Sequence, residues 1–266
     1  MVLVGSCGSR GSVATDALAR DPGEVASSGN PDDRTSNLGD PTPPDPHLGL
    51  PPGAGTGCKA GEMEATRPAR VPEPQELVPE DYFRRMERQE IVREGRPLEI
   101  DLGCGDGRFL LGMAEHYPER DFIGVERLLG RVRKVCKKIG KLGLTNARVL
   151  RLESRYTAEW LLPPGSVSRL HLLCPDPWPK LRHHRRRLIQ EEFLQAVWDL
   201  LEPGGEFLFK TDHPEYFEWA EEKVAAFGKF ERLDWPEDAF FYPKTDFQLL
   251  WESEGKSLQG LRLKKP

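Results

Sequence analysis

The chain has 266 residues, a formal net charge of −5, and a composition of 38% hydrophobic and 30% charged residues. These values are typical of a soluble globular protein with one or two domains. The sequence contains no run of about 18 apolar residues, which excludes a membrane-spanning helix. Its five cysteines are scattered and form no CxxC pair, which favours a reduced cytoplasmic protein over a disulfide scaffold or a structural zinc site.

The first segment, residues 1–75, is rich in Gly, Pro, Ser and Asp and shows no apolar period. Such a segment cannot bury enough surface to offset the entropy of ordering it. We therefore predict a disordered N-terminal extension, followed by one folded domain over residues 76–266. Met63 begins a plausible shorter chain, so an overextended gene start is a further hypothesis that N-terminal sequencing would test.

From Arg96 onward, apolar strands alternate with amphipathic helices. The pattern predicts strands at 96–102, 121–126, 147–152, 166–174 and 205–211, helices at 107–116, 128–143, 188–201 and 214–227, and a late hairpin of two strands near 230–234 and 247–253. This alternation indicates an α/β fold with a mostly parallel seven-stranded sheet, helices on both faces and an antiparallel C-terminal hairpin.

A glycine-rich loop, IDLGCGDG, follows the first predicted strand. Gly103 and Gly105 allow a tight turn and close approach to a ligand, but Arg108 stands where a dinucleotide fingerprint requires its third glycine. Asp101 and Asp106 would repel a pyrophosphate and suit a ligand with an amino group and a cationic centre. S-adenosylmethionine is such a ligand, and we expect Asp101 and the two glycines to bind it.

Two more acids end the next strands. Glu126 lies about 20 residues past the loop, where an acid reaches ribose hydroxyls in this type of sheet, and Glu153 could meet the adenine. Each acid alone could be a solvated strand end. Acids at three consecutive strand ends, together with the loop, favour a binding site.

The segment PDPWPKLRHHRRRL, residues 175–188, follows the fourth strand. Because the first and fourth strands of a doubly wound sheet flank its switch point, Asp176 should face the glycine loop. The prolines are expected to hold Cys174, Asp176 and Trp178 in extended conformations. Trp178 either stacks on an RNA base or anchors the core.

Basic residues lie within this segment and in two other parts of the chain. They comprise the run Lys180, Arg182, His183, His184, Arg185, Arg186 and Arg187, a second block at 131–141, and the C-terminal Lys256, Arg262, Lys264 and Lys265. Basic blocks beside a site predict a nucleic-acid substrate, with Lys180 and the arginines on phosphates. The adjacent histidines lack Cys or carboxylate partners, so no metal is expected.

The motifs IDLGCGDG, GVE, PDPWPKLRHHRRR and KTDH resemble the bacterial tRNA (guanine-N(7)-)-methyltransferase family over roughly residues 96–255. The resemblance implies a Rossmann-like class I fold and methylation of a variable-loop guanine of tRNA by S-adenosylmethionine, with S-adenosylhomocysteine as product. It places the cofactor acids on Asp101, Glu126, Glu153 and Asp176, of which Asp176 is also catalytic.

Substrate-binding positions implied by the resemblance are Lys180, Asp212 and the element Thr245-Asp246-Phe247-Gln248, to which Arg182, Arg185 and Arg186 are added as phosphate contacts. Gln248 stands where the family has an acid, and Glu153 stands where an aspartate is usual. Asp212 could instead cap the helix that begins at Pro214.

The proposed chemistry needs no general base, because guanine N7 carries a lone pair and no proton. The site has to place N7 in line with the methyl group, and Asp176 can stabilise the positive charge that develops on the purine. Three alternatives remain at this point: a methyltransferase on another RNA or an exocyclic amine, a non-catalytic RNA-binding protein with a degenerate fold, and, less favoured, a nicotinamide oxidoreductase. The sequence does not distinguish a monomer from a homodimer.

Overall fold

The computed structural model describes residues 73–266. Apart from residues 73–75, the predicted N-terminal extension lies outside this part. The strands are β1 (Glu76–Leu77), β2 (Leu98–Leu102), β3 (Asp121–Val125), β4 (Ala147–Leu150), β5 (Val167–Leu173), β6 (Leu201–Thr211), β7 (Glu231–Leu233) and β8 (Gln259–Lys264). The helices are α1 (Arg88–Ile91), α2 (Arg108–His116), α3 (Leu129–Leu142), α4 (Ser154–Tyr156), α5 (Glu191–Leu200), α6 (Pro214–Phe227) and α7 (Asp246–Ser253). A π-helical turn covers Thr157–Leu161, and a 3-10 helix covers Leu181–Arg186.

The strands form one sheet in the order β1-β4-β3-β2-β5-β6-β8-β7. Strands β1 to β6 are parallel, and β8 runs antiparallel to both β6 and β7. The predicted α/β fold with a C-terminal antiparallel hairpin is therefore confirmed, and a two-residue edge strand, β1, is added. Strand β2 lies between β3 and β5, so the chain order reverses at β2, which is where ligands bind in such sheets.

One predicted strand is wrong: residues 247–253 form helix α7, and the last strand is β8. Thr245 caps this helix, since its hydroxyl accepts a hydrogen bond from the Gln248 amide at 2.9 Å. One turn later, the Gln248 side chain donates to Glu252 at 2.9 Å. The apolar run within 247–253 is too short for periodicity to separate a strand from a helix, and the cap decides between them.

Helix α5 begins at Glu191, three residues later than predicted. The amides of Leu188 and Ile189 instead donate to the Tyr216 hydroxyl, at 3.1 and 3.3 Å. These bonds hold the end of the basic run against α6 before α5 starts.

The two faces of the sheet differ in chemistry. One face is apolar and packs on α5 and α6 through a cluster that includes Ile100, Leu172 and Phe209. The face covered by α2 and α3 carries buried polar side chains at its centre, among them Glu99 and His171. None of the helices in residues 73–266 is long and apolar enough to cross a membrane.

Candidate active site

The glycine loop after β2 is shaped for close approach. Gly103 and Gly105 have positive φ angles of 86° and 56°, and the amides of Gly103 and Cys104 both donate to the Val125 carbonyl at 2.9 Å. A Cβ atom added at Gly103 would meet no atom within 4 Å, so the backbone there borders open space. Gly107 is different, because a Cβ on it would lie 2.8 Å from a methyl carbon of Val135. The loop is thus open to a ligand on one side and tightly packed against α3 on the other.

Asp101 is the buried acid of this loop, with 4% of its surface exposed. Burial, with a contribution from the negative charge of Glu126, raises its pKa to about 7. No residue within 73–266 donates a hydrogen bond to its carboxylate. A buried carboxylate without a donor is costly, and it matches the ammonium group of S-adenosylmethionine.

Two of the other three predicted cofactor acids, Glu126 and Glu153, have partners within the protein. Glu126 is buried and accepts a hydrogen bond from the Leu128 amide at 2.7 Å, with Arg131 at 3.6 Å. Glu153 is exposed and caps α4 by accepting from the Tyr156 amide at 2.7 Å. Glu126 therefore lies beside Asp101 in the fold, whereas Glu153 has a local structural role of its own.

The loop that follows β5 does not have the predicted conformation. The φ angles of Cys174 and Trp178 are 49° and 45°, in the left-handed region, so the expectation of extended backbone at these two residues is wrong. Steric conflict with a following proline disfavours the right-handed helical region but does not itself prevent positive φ. Because the Cys174 amide still donates to the Lys210 carbonyl at 2.8 Å, the chain must turn sharply to leave the sheet.

Asp176 is exposed at the tip of this loop, with no hydrogen bond or ion pair to any residue of 73–266. Asp212 directly follows β6 and is half-buried. Burial, with a contribution from the Asp212 charge, raises the pKa of the Cys174 thiol to about 12. Helix α6 is capped by His213, whose Nδ1 accepts from the Tyr216 amide at 3.3 Å. The alternative that Asp212 caps this helix is therefore wrong.

Trp178 is half-buried and contacts the basic run. The Arg186 guanidinium lies over its ring at 5.0 Å, and the His183 ring meets it edge-on at 5.8 Å. Lys180 and the predicted phosphate contacts Arg182, Arg185 and Arg186 are all exposed on or beside the 3-10 helix. These four exposed bases therefore lie on the short segment that follows the Asp176 loop.

Three other bases make contacts within the protein instead. Arg187 is buried, so the expectation that it binds phosphate is wrong. Arg262 pairs with Glu206 at 2.5 Å. Lys265 donates to the backbone carbonyls of Trp198 and Leu201, both at 2.7 Å. Within residues 73–266, no group of three or more His, Cys, Asp or Glu side chains could hold a metal ion.

The predicted substrate element at the start of α7 lies near this loop. The Thr245 hydroxyl, which caps α7, lies close enough to the Cys174 thiol to oppose the rise in its pKa. Phe247 is 47% exposed, and the Gln248 side chain is bound to Glu252. Asp246 lies 3.7 Å from Arg108, the first residue after the glycine loop, so α7 is tied to the cofactor side of the site.

A buried hydrogen-bonded chain behind the site was missed. Tyr242 and His171 Nδ1 are 2.9 Å apart, and His171 Nε2 lies 2.8 Å from Glu99. Burial lowers the pKa of His171, so its imidazole is neutral. Glu99, although burial opposes its ionisation, has a lowered pKa because of the His171 hydrogen bond and nearby arginines. The neutral imidazole therefore donates from Nε2 to the carboxylate and accepts from the Tyr242 hydroxyl.

The signal for this chain is present in the sequence. Glu99 and His171 are ionisable residues in the middle of strands that otherwise read as buried. Buried ionisable groups are usually paired, and parallel strands that neighbour at the switch point place them side by side. Tyr242, however, comes from a distant loop that no local pattern links to them.

Comparisons with known proteins agree with this geometry. A family model described as "Putative methyltransferase" matches residues 95–260. The chain is 35% identical over 165 residues to the tRNA (guanine-N(7)-)-methyltransferase of Syntrophotalea carbinolica, covering 61% of this chain and 71% of the relative. It is 33% identical over 173 residues to the enzyme of the same name from Rhizobium johnstonii, covering 63% and 74%.

Among solved structures, the 16S rRNA methyltransferase KamB superposes with a TM-score of 0.51 at 21% identity, covering 67% of this chain and 92% of that chain. This likeness shows the class I methyltransferase fold. The relatives do not favour the amine-methylating, non-catalytic or nicotinamide-dependent alternatives. The chain belongs to the tRNA (guanine-N(7)-)-methyltransferase family.

Proposed function

We propose that this chain is a cytoplasmic enzyme that transfers a methyl group from S-adenosylmethionine to N7 of a variable-loop guanine in tRNA. The observation that carries the proposal is the pairing of two unlike carboxylates at neighbouring strand ends. Asp101 is buried without a donor beside the glycine loop, and Asp176 is exposed without a partner after β5. The first suits a fixed cationic ligand, and the second is free for an incoming substrate.

The cofactor would be held by residues on the β2 and β3 side of the site. Asp101 would accept from its ammonium group, Glu126 from its ribose hydroxyls, and the backbone at Gly103 and Gly105 would lie against it. Glu153 would contact the adenine either with the carboxylate oxygen that is not bonded to the Tyr156 amide, or after giving up that bond. When bound, S-adenosylmethionine supplies an electrophilic methyl group on a sulfonium centre.

On the substrate side, Asp176 acts electrostatically. Guanine N7 has no proton to remove, so the carboxylate stabilises the positive charge that grows on the purine. In the free protein Asp176 is exposed to water, which weakens any electrostatic effect. Bound RNA would exclude that water and strengthen the interaction in the state that reacts.

The tRNA would lie across the exposed bases beside Asp176. Lys180, Arg182, Arg185 and Arg186 would bind phosphates. Asp212, at the next strand end, can accept from the N1–H and amino groups of the guanine. Thr245, Phe247 and Gln248 would complete the site from α7, where exposed Phe247 offers a surface for stacking.

The proposal is tested by incubating the purified chain with methyl-labelled S-adenosylmethionine and unmodified tRNA transcripts, then cleaving at N7-methylguanine. We expect label at one variable-loop guanine, loss of label when that guanine is changed to adenine, and loss in Asp176→Asn. Glu218→Gln is the matched control, because Glu218 is an exposed acid of α6 that makes no hydrogen bond or ion pair with any residue of 73–266. Cofactor binding without label on any transcript would reject tRNA as the substrate.

A further inference from the structure

Arg187, the last base of the run, has a different environment from its neighbours. Only 1% of its surface is exposed, whereas Arg185 and Arg186 are exposed. Its Nε donates to the Pro177 carbonyl at 2.8 Å, and its Nη2 donates to Glu215 at 3.1 Å. At this depth no phosphate can reach the guanidinium, so Arg187 serves the protein's own structure.

The guanidinium group of Arg187 packs against the first turns of α6. Its guanidinium lies over the Tyr216 ring at 5.1 Å and over the Trp219 ring at 5.3 Å. The Trp219 ring nitrogen donates to the Ile189 carbonyl at 2.9 Å, and Glu215 also contacts His184 at 3.2 Å. These contacts make the start of α6 a fixed support for the guanidinium.

The near end of Arg187 holds the loop that carries Asp176. Within residues 73–266, its bond to Pro177 is the only hydrogen bond made to residues 175–179. Cys174 and Trp178, on either side of Asp176, both have positive φ. Such conformations are strained in non-glycine residues and persist only where surrounding contacts hold them. Arg187 supplies the polar contact at the middle of this loop.

We infer that Arg187 is a positioning residue that fixes Asp176 relative to Asp212, and that it does not bind RNA. Pro177 directly follows Asp176, and α6 begins two residues after Asp212. A single guanidinium therefore joins the two segments that present the candidate substrate carboxylates. One of its nitrogens, Nη1, is buried without an acceptor in the described residues, which costs stability and argues that the residue is not there for stability alone.

This inference rests on the proposed function for its kinetic consequence. Methyl transfer requires the guanine to lie in line with the methyl group, and a displacement of about 1 Å can lower a rate by about a hundredfold. Loss of the Arg187 contact should therefore lower the rate of the chemical step. It should leave the cofactor site on β2 and β3 intact, and it should leave the exposed phosphate contacts in place.

The test compares Arg187→Met, which keeps the length of the side chain without its donors, with Arg187→Lys and with Arg185→Met. For Arg187→Met we expect the single-turnover rate to fall by about a hundredfold, with the dissociation constants for cofactor and tRNA unchanged within error. Arg187→Lys should restore part of the rate, because an ammonium can still donate to Pro177. Arg185→Met should instead weaken tRNA binding and reduce its salt dependence by about one unit of slope.

Limited trypsin digestion gives a readout that does not depend on activity. Well below the unfolding temperature, Arg187→Met should speed cleavage after Lys180, Arg182 and Arg185 by about tenfold or more, because the loop opens locally. Cleavage elsewhere should not change. If Arg187→Met does not fold, Glu215→Ala removes the acceptor of Nη2, together with the contact of Glu215 to His184, and should show both effects in weaker form.

Two results would overturn the inference: a wild-type rate in Arg187→Met with unchanged trypsin cleavage, or weaker tRNA binding with a smaller salt slope, which would place Arg187 on RNA. Failure of the wild-type chain to label tRNA is a separate outcome. It would reject the proposed function, and the trypsin comparison would still decide whether Arg187 holds the loop.

Discussion

The raised pKa of Asp101 makes a quantitative prediction about cofactor binding. Burial raises the pKa of the Asp101 carboxyl from 3.8 to about 7. Only the ionised form of this carboxyl can bind the ammonium of S-adenosylmethionine. Its contribution to affinity is therefore lost as the pH falls through 7. Between about pH 8 and about pH 6 the Asp101-dependent part of the affinity should weaken by about tenfold.

The same shift affects the stability of the free protein. The pKa of Asp101 is higher in the folded protein than in the unfolded chain, so the protonated carboxyl favours the folded state. This stabilisation is fully present below pH 3.8 and is lost as the pH rises through 7. About three pKa units correspond to about 4 kcal/mol. Asp101→Asn, which cannot ionise, should therefore be more stable than wild type at pH 8 by up to about 4 kcal/mol, with the difference disappearing towards pH 4.

Calorimetric titration with S-adenosylhomocysteine, and urea unfolding without it, would measure both effects. The ratio of the Asp101→Asn and wild-type dissociation constants largely cancels titration of the ligand itself. Glu218→Gln, a substitution of an exposed acid, should follow wild type at every pH. A wild-type affinity that keeps the same ratio to Asp101→Asn from pH 8 to pH 6 would refute the reasoning, as would a variant less stable than wild type at pH 8.

Three further predictions concern single contacts. Gly107→Ala should destabilise the protein by more than the roughly 1–2 kcal/mol expected for an alanine in the left-handed region, since its Cβ would lie 2.8 Å from Val135. Thermal unfolding would measure the loss. Gly143→Ala is the control, because Gly143 has a φ of +67° and a Cβ there would meet no atom within 4 Å. Tyr242→Phe should cost about 1–3 kcal/mol in urea unfolding, because buried Nδ1 of the imidazole loses its donor. Thr245→Ala should cost about 1 kcal/mol through loss of the cap. Thr245→Asn should restore that stability, and methyl transfer that stays low in Thr245→Asn would mark a substrate contact beyond capping.

Much of the fold could be predicted because its signals are local. Helix α6 has the predicted bounds, 214–227, since Pro214 suits the first turn and Gly228 ends the helix with φ 65°. The strands around the switch point were found from their apolar runs. Helix α7 could not be predicted in the same way. Its seven residues at 247–253 carry apolar side chains on more than one face, which fits a strand as well as a helix, and only the Thr245 cap favours the helix.

That Asp101 and Glu126 lie close together could be predicted for a related reason. Parallel strands bring their carboxyl ends to one edge, so residues that end successive strands meet even when they are distant in sequence. What the pattern does not contain is the environment of each side chain. Asp101 and Asp176 look alike in sequence, yet one is buried and the other exposed, and it is on this difference that we base their separate roles in the proposed function.

The basic run likewise shows that the sequence does not reveal the environment of each charged side chain. Its seven bases are consecutive or nearly so, and charge alone would assign all of them to RNA. The fold divides them, because a 3-10 helix has three residues per turn and its last residues must return to α5 over the surface of α6. Arg182 and Arg185 point to solvent, whereas Arg187 turns inward onto Tyr216 and Trp219. In the proposed function the run therefore combines a surface for RNA with an internal anchor for the Asp176 loop, and only the first of these follows from the count of charges.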